Sequence, residues 1–527
     1  MSISHDAIIA LQEIVGIGYV KVDEDSLAYI SQATFPTTQK VTSIVYPANT
    51  EQVAACVKLA NQHKFTLYPV SQGKNWGLGS KLPLNDGAVV LDLQRMNAIS
   101  DFSEEMAYVS VAPGVTFQQL FEFLEENESG LMMDGIGSTP FASIVGNTVE
   151  RGHGLALLAD RFDHVCGMEV VLPTGEVINT GYQRYQGSEI GNLAKWGLGP
   201  YVDGLFTQSN LGIVTKLTLF LRPKAAYFQS FLFHIDNNKQ LPVLINKLRE
   251  MRLNGFQMSL RIFNDYRWIA FFQQYPWESE SKTPLSKDKR KALRKEYGNL
   301  GKWIGLGGLY SLDPEHGKAE RKYMQRQLDG LVDRMEFLTE EKVAKALKKA
   351  KKRKDEREVN RLKFMFTNSV LRGYTSQAAV TMCYWRKKDE APEMKDIHRD
   401  KCGVLWYCPA VPNRGKDVRQ AVEIVERVSK KYGFEPNIGF LFISDRALDI
   451  TGALCYDREQ PGEDERAMQC HDELMLEYFK LGYTPYRLGI QSMHYTQKME
   501  ESSKDFLKQL KSTLDPNHVL SPGRYIP

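Results

Sequence analysis

A glycine-rich loop that directly follows a short apolar stretch constrains the fold of this chain most. Residues Phe65-Thr-Leu-Tyr-Pro-Val70 are typical of a buried strand, which leads directly into Ser71-Gln-Gly-Lys-Asn-Trp-Gly-Leu-Gly79. Glycine permits close backbone approach and positive-φ turns that point successive amides at one anion. We therefore predict that residues 71–79 bind the pyrophosphate of a dinucleotide. For this loop taken alone, a tight turn without a ligand is the alternative.

The surroundings of this loop exclude the Rossmann fold. The loop is not Gly-x-Gly-x-x-Gly opening a helix, and no ribose-binding acid follows at the expected distance. Short apolar strands and amphipathic helices alternate from about residue 40 to 225, which predicts an α+β domain with mixed sheets. The predicted strands are 41–45, 65–70, 88–92, 107–111, 168–172, 177–180 and 213–221, and the predicted helices are 49–60 and 116–124.

A change of pattern near residue 226 predicts a second domain. Strand-like stretches at 228–234, 439–443 and 451–456 alternate there with long charged helices, which indicates an antiparallel sheet with helices that caps the first domain. We predict domains at 1–225 and 226–480, with 481–527 returning to the first domain. The lysine-rich run 342–357 is flanked by acids and lacks interleaved aromatics, so we interpret it as a solvated helix face rather than a nucleic-acid site.

Composition excludes several other classes of protein. Of 527 residues, 43% are hydrophobic and 25% charged, as in ordinary globular proteins, and the formal net charge of +3 requires no polyanionic partner. The seven cysteines show no metal-ligand spacing, so we expect no metal site and expect buried, reduced thiols. No signal peptide or membrane span is recognisable, and we expect a cytoplasmic protein.

Further motifs accompany the glycine loop in a fixed order along the chain. They are Val111-Ala-Pro-Gly-Val-Thr116, Gly146-Asn-Thr-Val-Glu-Arg-Gly152, Cys166-Gly-Met-Glu-Val-Val171, the segment 198–210, Leu514-Asp-Pro-Asn517 and Ser521-Pro-Gly-Arg524. Together they resemble the vanillyl-alcohol oxidase and para-cresol methylhydroxylase family over essentially the whole chain. The resemblance implies FAD, bound by the first domain and the C-terminal tail, and a cap domain over the flavin ring.

The resemblance also assigns the residues that contact FAD. The expected cofactor-binding residues are Ser71, Gly73, Lys74, Asn75, Trp76, Gly77, Gly79, Pro113, Gly114, Ser143, Gly146, Asn147, Arg151, Gly152, Gly212, Ile213, Val214 and Arg524.

Members of this family oxidise para-substituted phenols, and three residues here match their catalytic positions. Tyr486 and Arg487 match the pair that binds the phenolate oxygen and favours its ionised form. Asp160 matches the acid beside the flavin, because its spacing from Gly152 and Gly167 agrees without a gap. The resemblance thus implies hydride transfer to flavin N5 from the benzylic carbon, which is attached at the para position, through a quinone methide-like intermediate.

Three departures from the family bear on the substrate and on flavin attachment. Leu78 stands where relatives have a second phenol-binding tyrosine, and Asp449 falls where they have a histidine doublet; we expect both, with Trp406, to line the substrate pocket. Val404 stands at the position of the flavin-linked histidine, and residues 395–400 contain no tyrosine. We therefore predict non-covalent FAD, with His398 the remaining candidate for a covalent link.

Several functional alternatives remain open at this point. The leading one is an FAD-dependent oxidase or dehydrogenase of a 4-substituted phenol. Leu78 and Asp449 motivate a second, in which flavin oxidises a non-phenolic small molecule with an anionic group. A third is a flavin-binding electron-transfer subunit, which Asp160 with Tyr486 and Arg487 argues against. We expect oxygen or a separate acceptor protein as oxidant, no nucleic-acid or membrane partner, and a homodimer.

Overall fold

The computed structural model describes residues 3–157 and 159–526. The first part of the chain contains α1 His5–Val15, β1 Val20–Lys21, α2 Glu24–Ile30, β2 Ser43–Val45, α3 Thr50–His63, β3 Leu67–Val70, β4 Val89–Asp92, β5 Ile99–Ser103, β6 Tyr108–Val111, α4 Phe117–Glu126, β7 Leu131–Met132, α5 Ile144–Val149, β8 Val165–Val171, β9 Val177–Asn179, β10 Ile213–Phe220 and β11 Arg222–Pro223.

The remainder contains β12 Tyr227–Ile235, α6 Gln240–Leu253, β13 Ser259–Asn264, α7 Asp265–Ala270, α8 Lys287–Glu296, β14 Trp303–Ser311, α9 Pro314–Leu328, β15 Arg334–Leu338, α10 Glu340–Lys352, α11 Glu356–Leu362, α12 Ala378–Cys383, β16 Cys402–Tyr407, β17 Ala410–Pro412, α13 Gly415–Lys431, β18 Ile438–Phe442, β19 Ala447–Asp457, α14 Glu463–Lys480 and α15 Glu501–Leu514.

Two larger sheets build the FAD-binding domain, and β7 and β11 form a separate two-stranded antiparallel sheet. The first has the order β1-β2-β4-β3, with β2, β4 and β3 parallel, and the second is antiparallel in the order β5-β6-β10-β8-β9. The strands predicted from the sequence are present, and β8 and β9 form the expected hairpin. The helices begin at side-chain caps: Asn49 accepts from the Gln52 amide, and Thr116 and Gln119 form a capping box.

One large sheet builds the cap domain. Its strands follow the order β15-β12-β14-β13-β18-β19-β16, and β17 adds to β19. Side chains alternate between the two faces of such a sheet, so each face has its own core. Phe231, Ile262 and Phe440 pack on one face with α6 and α13, whereas Ile304, Val404 and Ala453 pack on the other with α7 and α12. The fold is the predicted α+β pair of domains.

The C-terminal segment packs against the first sheet, as the sequence predicts. The Leu67 amide donates to the Val519 carbonyl at 2.7 Å, and the Asn210 side chain donates to the Ser521 carbonyl at 3.0 Å. All seven cysteines are buried, as the sequence predicts, and none forms a disulfide bond in the described residues. Among the helices that the structure describes, none is both long and apolar enough to cross a membrane.

Candidate active site

A cavity of about 400 Å³ lies between the glycine loop and one face of the cap sheet. This volume is in the range of small-molecule binding sites. Residues of the FAD-binding domain line one side, among them Ser71, Lys74 and Asn147. The cap domain lines the other, among them Arg261, Leu306 and Trp406. The two domains therefore enclose the cavity together.

The glycine loop follows β3 and bends as the sequence predicts. Gly73 and Gly77 have φ of 65° and 74°, a conformation that other residues rarely adopt. A Cβ atom on Gly77 would lie 2.4 Å from Cδ1 of Trp406, and one on Gly73 would lie 2.2 Å from Cγ of Lys81. Both positions thus require glycine, and the side chains of Lys81 and Trp406 pack directly against the loop backbone.

Polar donors on the cavity wall have the chemistry that a pyrophosphate needs. Lys74 is largely buried, and burial lowers the pKa of its ammonium group. Within the described residues no carboxylate lies within 4 Å of Lys74, so an anion in the cavity would be its charge partner. Ser71, Asn75 and Asn147 also line the wall, and Trp76 Nε1 is buried without a hydrogen-bond partner in the described part of the chain. These residues fit FAD.

The structure brings most of the predicted cofactor residues to the cavity wall. These are Ser71, Gly73, Lys74, Asn75, Trp76, Ser143, Gly146, Asn147, Gly152, Gly212, Ile213, Val214 and Arg524.

Five other predicted cofactor residues do not line the cavity, and each has another role in the packing. Gly77 donates its amide to Thr34 Oγ1 at 2.8 Å, and Gly79 packs on Ile490. Pro113 and Gly114 use their carbonyls to accept from Ser143 and Gln72 at 2.6 and 2.7 Å.

Arg151 is the fifth, and its side chain is directed away from the cavity. It is exposed, with φ of 51°, and its Nε donates to Thr207 Oγ1 at 3.1 Å. Contact of these five residues with FAD stays a prediction, and in the structure they shape the loops around the cavity.

Tyr486 and Arg487 both line the cavity, side by side. Cζ of Arg487 lies 5.4 Å from the centroid of the Tyr486 ring, and Arg487 Nε donates to the Glu150 carbonyl at 3.0 Å. The Glu150 carboxylate is occupied by Arg524 at 2.6 Å. Among the described residues, the Tyr486 hydroxyl and the two terminal nitrogens of Arg487 have no hydrogen-bond partner. These donors are available to a ligand.

The charge states of this pair suit anion binding. Burial raises the pKa of the Tyr486 phenol well above its ordinary value, so the hydroxyl stays protonated and can donate. Burial by itself would lower the pKa of Arg487, but the neighbouring Tyr486 and Glu150 outweigh it and the net shift is upward. Arg487 therefore stays cationic beside a neutral donor.

The cap wall is a row of residues from adjacent strands. Arg261 on β13 pairs with Leu306 on β14 and with Leu441 on β18, and Leu441 pairs with Asp449 on β19. Paired residues in neighbouring strands lie on the same face. Arg261, Leu306 and Leu441 line the cavity, as do Leu78 and Trp406 in agreement with the sequence-based prediction.

Asp449 differs from its predicted position, because it lies behind the cavity wall rather than on it. Its carboxyl is fully buried, and Oδ2 lies 3.6 Å from Nε2 of His153, which does line the cavity. Burial raises the pKa of Asp449 well above its ordinary value, and burial lowers the pKa of His153 to about 3. His153 is thus uncharged near neutral pH, and it covers Asp449.

Asp160 does not line the cavity. It forms a β-bridge with His153, and its Oδ1 accepts from the Asp163 amide at 3.3 Å in a turn. Its predicted role as the acid beside the flavin stays a prediction.

Neither position considered for a covalent flavin link lines the cavity. Val404 is buried in the cap core. His398 is half-buried, with its ring centroid 6.5 Å from that of Trp76. The attachment of FAD likewise stays a prediction.

The sequence did not reveal several cavity residues, among them the polar residues His153, Arg261 and Arg267. One signal was present: Arg261 interrupts the apolar stretch Ser259-Leu-Arg-Ile-Phe263, and charged residues are rarely buried without a specific reason. Strand pairing with residues far along the chain then places Arg261 on the wall, which no local pattern reveals.

Comparisons with known proteins agree with this geometry. The model of the FAD binding domain family matches residues 41–181. The chain is 40% identical to 1'-carboxy-chondrochloren decarboxylase of Chondromyces crocatus, over 98% of this chain and 96% of that protein. It is 29% identical to the 4-cresol dehydrogenase flavoprotein subunit of Pseudomonas putida, over 98% and 94%.

A solved structure is similar over the same extent. The crystal structure of p-cresol methylhydroxylase with substrate bound matches with a TM-score of 0.88 and 27% identity, covering 99% of this chain and 96% of that one. Sequence, fold and cavity thus agree along the whole chain, with FAD as the cofactor. The chain belongs to the vanillyl-alcohol oxidase and para-cresol methylhydroxylase family of FAD-dependent oxidoreductases.

Proposed function

We propose that this enzyme removes a hydride from the benzylic carbon of a 4-substituted phenol, the carbon attached at the para position of the ring. The observation that carries the proposal is the Tyr486–Arg487 pair, because its donors face the cavity without a partner among the described residues. Bound FAD supplies the hydride acceptor. A site with a neutral donor and a fixed cation favours the phenolate over the phenol, and the phenolate releases a hydride more readily.

The protein residues act on the phenolic end of the substrate. Tyr486 donates its hydroxyl proton in a hydrogen bond to the phenolate oxygen, and Arg487 stabilises the negative charge. Arg487 is held in place by the Glu150 carbonyl, so little reorganisation is needed when the substrate binds. Phe263, Phe271 and Leu306 supply apolar surface for the ring and exclude water from it.

Asp160 belongs to this proposal as the acid beside the reacting carbon. Asp160→Asn is expected to lower the rate of flavin reduction without changing the dissociation constant of the phenol. An unchanged rate would assign Asp160 to the turn that it caps at the Asp163 amide.

Paired substrates that differ only in the ionisable hydroxyl test the proposed function. The enzyme is mixed anaerobically with 4-ethylphenol or with its methyl ether, 4-ethylanisole, and flavin absorbance is followed. We expect 4-ethylphenol to bleach the flavin and the ether to leave it oxidised, because the ether cannot form a phenolate. Equal bleaching by both compounds would show that the reaction does not require a phenolate. A protein that binds no flavin would overturn the proposal entirely.

A second candidate function concerns how the oxidised substrate is resolved. The relative at 40% identity is named a decarboxylase. This name favours a substrate whose carboxylate is attached to the carbon next to the oxidised carbon. In the resulting quinone methide the bond to the carboxylate breaks and CO2 leaves. The electron pair of that bond forms a new carbon–carbon double bond and restores the aromatic phenolate. The step consumes no further reactant.

The product of 3-(4-hydroxyphenyl)propanoate distinguishes the two outcomes. Formation of 4-vinylphenol with an equal amount of CO2 supports the decarboxylative resolution. A hydroxylated acid that keeps its carboxylate supports water addition instead. The final electron acceptor stays open between oxygen and a separate protein, and oxygen consumption during turnover separates these two.

A further inference from the structure

Arg267 is a buried arginine that the phenol chemistry does not use. It belongs to α7, a short helix that begins directly after β13 and is capped by the Asn264 side chain. This turn from strand to helix brings the side chain back beneath the cap sheet, where it is 7% exposed and lines the cavity. Its position therefore depends on the junction of β13 with α7.

The guanidinium of Arg267 is not neutralised by the protein. Nη1 donates to the Thr451 carbonyl and, at 3.2 Å, to the Thr451 hydroxyl. Nε is sealed from solvent without a hydrogen-bond partner, Nη2 has none either, and no carboxylate lies within 4 Å, all within residues 3–157 and 159–526. Aromatic rings surround it, with centroids 5.3 Å away for Phe263 and 5.7 Å away for Trp406.

Another buried arginine of the cap domain shows the usual arrangement. Arg386 is 2% exposed and its Nε lies 3.0 Å from a Glu435 carboxylate oxygen. Removing a charge from water costs several kcal/mol unless a counter-charge compensates, so buried arginines are normally paired. Arg267 lacks the carboxylate that Arg386 has, and the open cavity is the place from which one can come.

The other charges around the cavity do not cancel this positive charge. Arg487 and Arg261 also line the wall. Asp449 lies 3.6 Å from His153 and forms no ion pair with an arginine among the described residues, and the Glu150 carboxylate is bound to Arg524 at 2.6 Å. A phenolate oxygen at Arg487 satisfies one cation only. The cavity therefore suits a ligand that carries a second negative charge.

Strand β16 and the residue that follows it connect the two anion-binding positions. The ring of Trp406 on this strand contacts Arg267, and the carbonyl of Cys408, the next residue after the strand, accepts from the Tyr486 amide at 3.2 Å. Arg267, Tyr486 and Arg487 all line the same cavity. A single ligand in this cavity is therefore exposed to both positions.

We propose that Arg267 binds a carboxylate at the far end of the para side chain of the substrate. The proposal rests on the phenol-oxidising function and adds the substrate class: 4-hydroxyphenyl compounds with a carboxylate-bearing side chain. Arginine suits this task because its planar guanidinium binds carboxylates through two nitrogens, here Nε and Nη2. The carboxylate also supplies the charge partner that the protein does not provide.

The first test compares substrates on the unchanged enzyme. Dissociation constants for anaerobic flavin reduction are measured with 3-(4-hydroxyphenyl)propanoate, with its amide and with 4-ethylphenol. A charge-assisted hydrogen bond contributes about 1.5–3 kcal/mol, so the acid should bind about 10- to 100-fold more tightly than the amide. Equal affinity of acid and amide would overturn the inference while 4-ethylphenol still bleaches the flavin.

The second test uses variants with a matched control. Arg267→Met removes the charge, Arg267→Lys keeps it, and Arg252→Met removes an arginine that pairs with Asp445 and does not line the cavity. We expect Arg267→Met to erase the preference for the acid over the amide, with 4-ethylphenol binding within about threefold of wild type. Arg267→Lys should keep part of the preference, and Arg252→Met all of it.

The outcomes separate failure of this inference from failure of the proposed function. If Arg267→Met keeps the full preference for the acid, Arg267 does not bind the carboxylate. If it weakens acid, amide and 4-ethylphenol equally, the residue acts through packing alone, and the inference is wrong. If no phenol reduces the flavin of the wild-type enzyme, the proposed function itself fails first.

Discussion

The two walls of the cavity are built in opposite ways. The wall from the FAD-binding domain consists of short contiguous segments, chiefly residues 71–76, 143–147 and 212–214. The cap wall consists of single residues from distant strands, such as Arg261, Leu306 and Leu441, that only the sheet register makes neighbours. The cofactor side is therefore encoded locally and the substrate side by tertiary structure. Substrate specificity can then change by substitution on the sheet while the cofactor loops stay intact.

The largest expected effect separates chemistry from cofactor binding. Arg487→Met should lower the rate of anaerobic flavin reduction by a phenol about 10²- to 10³-fold, because it removes a fixed donor from a developing anion. The flavin content should stay that of wild type, since the Glu150 carboxylate keeps its ion pair with Arg524 when Arg487 is replaced. Stopped-flow absorbance measures the rate, and the ratio of flavin to protein absorbance measures the content. Loss of flavin in this variant would contradict the division into residues that bind the cofactor and residues that bind the substrate.

A pair of glycine variants tests the cofactor wall. Gly77 and Gly187 have almost the same φ, 74° and 73°, but a Cβ on Gly77 meets Trp406 whereas one on Gly187 has open space around it. Replacement by alanine costs about 1–2 kcal/mol at either position from the left-handed backbone alone. Only Gly77→Ala should also displace the loop and weaken FAD at least about tenfold, given a typical overpacking cost of about 1–3 kcal/mol.

FAD titration of the two apoproteins measures this difference directly. Gly187→Ala is the control for backbone strain without a clash. Equal FAD affinities for the two variants would mean that the Gly77–Trp406 contact does not hold the cofactor loop in place.

The smallest expected effect is that of replacing Asp449 on the pH dependence of stability. Burial raises the pKa of Asp449 in the folded protein above its value in the unfolded chain. At a pH between these two pKa values, Asp449 is protonated in the folded protein and ionised in the unfolded chain. Stability from this group therefore falls as pH rises above about 4. Asp449→Asn removes this dependence, and the variant should gain stability relative to wild type as pH rises from 4 to 8.

Urea unfolding at several pH values measures the trend, with Asp163→Asn as a control of opposite sign. A hydrogen bond from Lys195 lowers the pKa of Asp163, so that carboxylate adds stability above its unfolded pKa and loses it in acid. Asp163→Asn should accordingly be less stable than wild type near neutral pH, with a small difference because the carboxylate is mostly exposed. A parallel trend for both variants would contradict the assignment of Asp449 as a buried neutral acid.

The sequence predicted the local parts of this molecule well. Alternating strands and helices and the glycine loop after β3 depend on neighbours in sequence, and the structure contains them. Tyr486, Arg487, Leu78 and Trp406 also line the cavity as predicted.

The misplaced and missed residues depend on contacts between distant segments. Asp449 was expected on the wall, but His153 from the other domain covers it. Arg267 was missed because its burial depends on the turn into α7 and on its pairing with Thr451, 184 positions along the chain. A pattern confined to one stretch of sequence carries no information about either contact.

The central claim is that Tyr486 and Arg487 hold the substrate phenol in its ionised form. Binding of 4-nitrophenol, which is coloured only as the phenolate, tests this directly at a pH where the free compound is mostly protonated. The account predicts that the phenolate absorbance appears on binding to the wild-type enzyme and is absent with Arg487→Met. A wild-type complex in which the bound compound keeps the spectrum of the neutral phenol would contradict the claim.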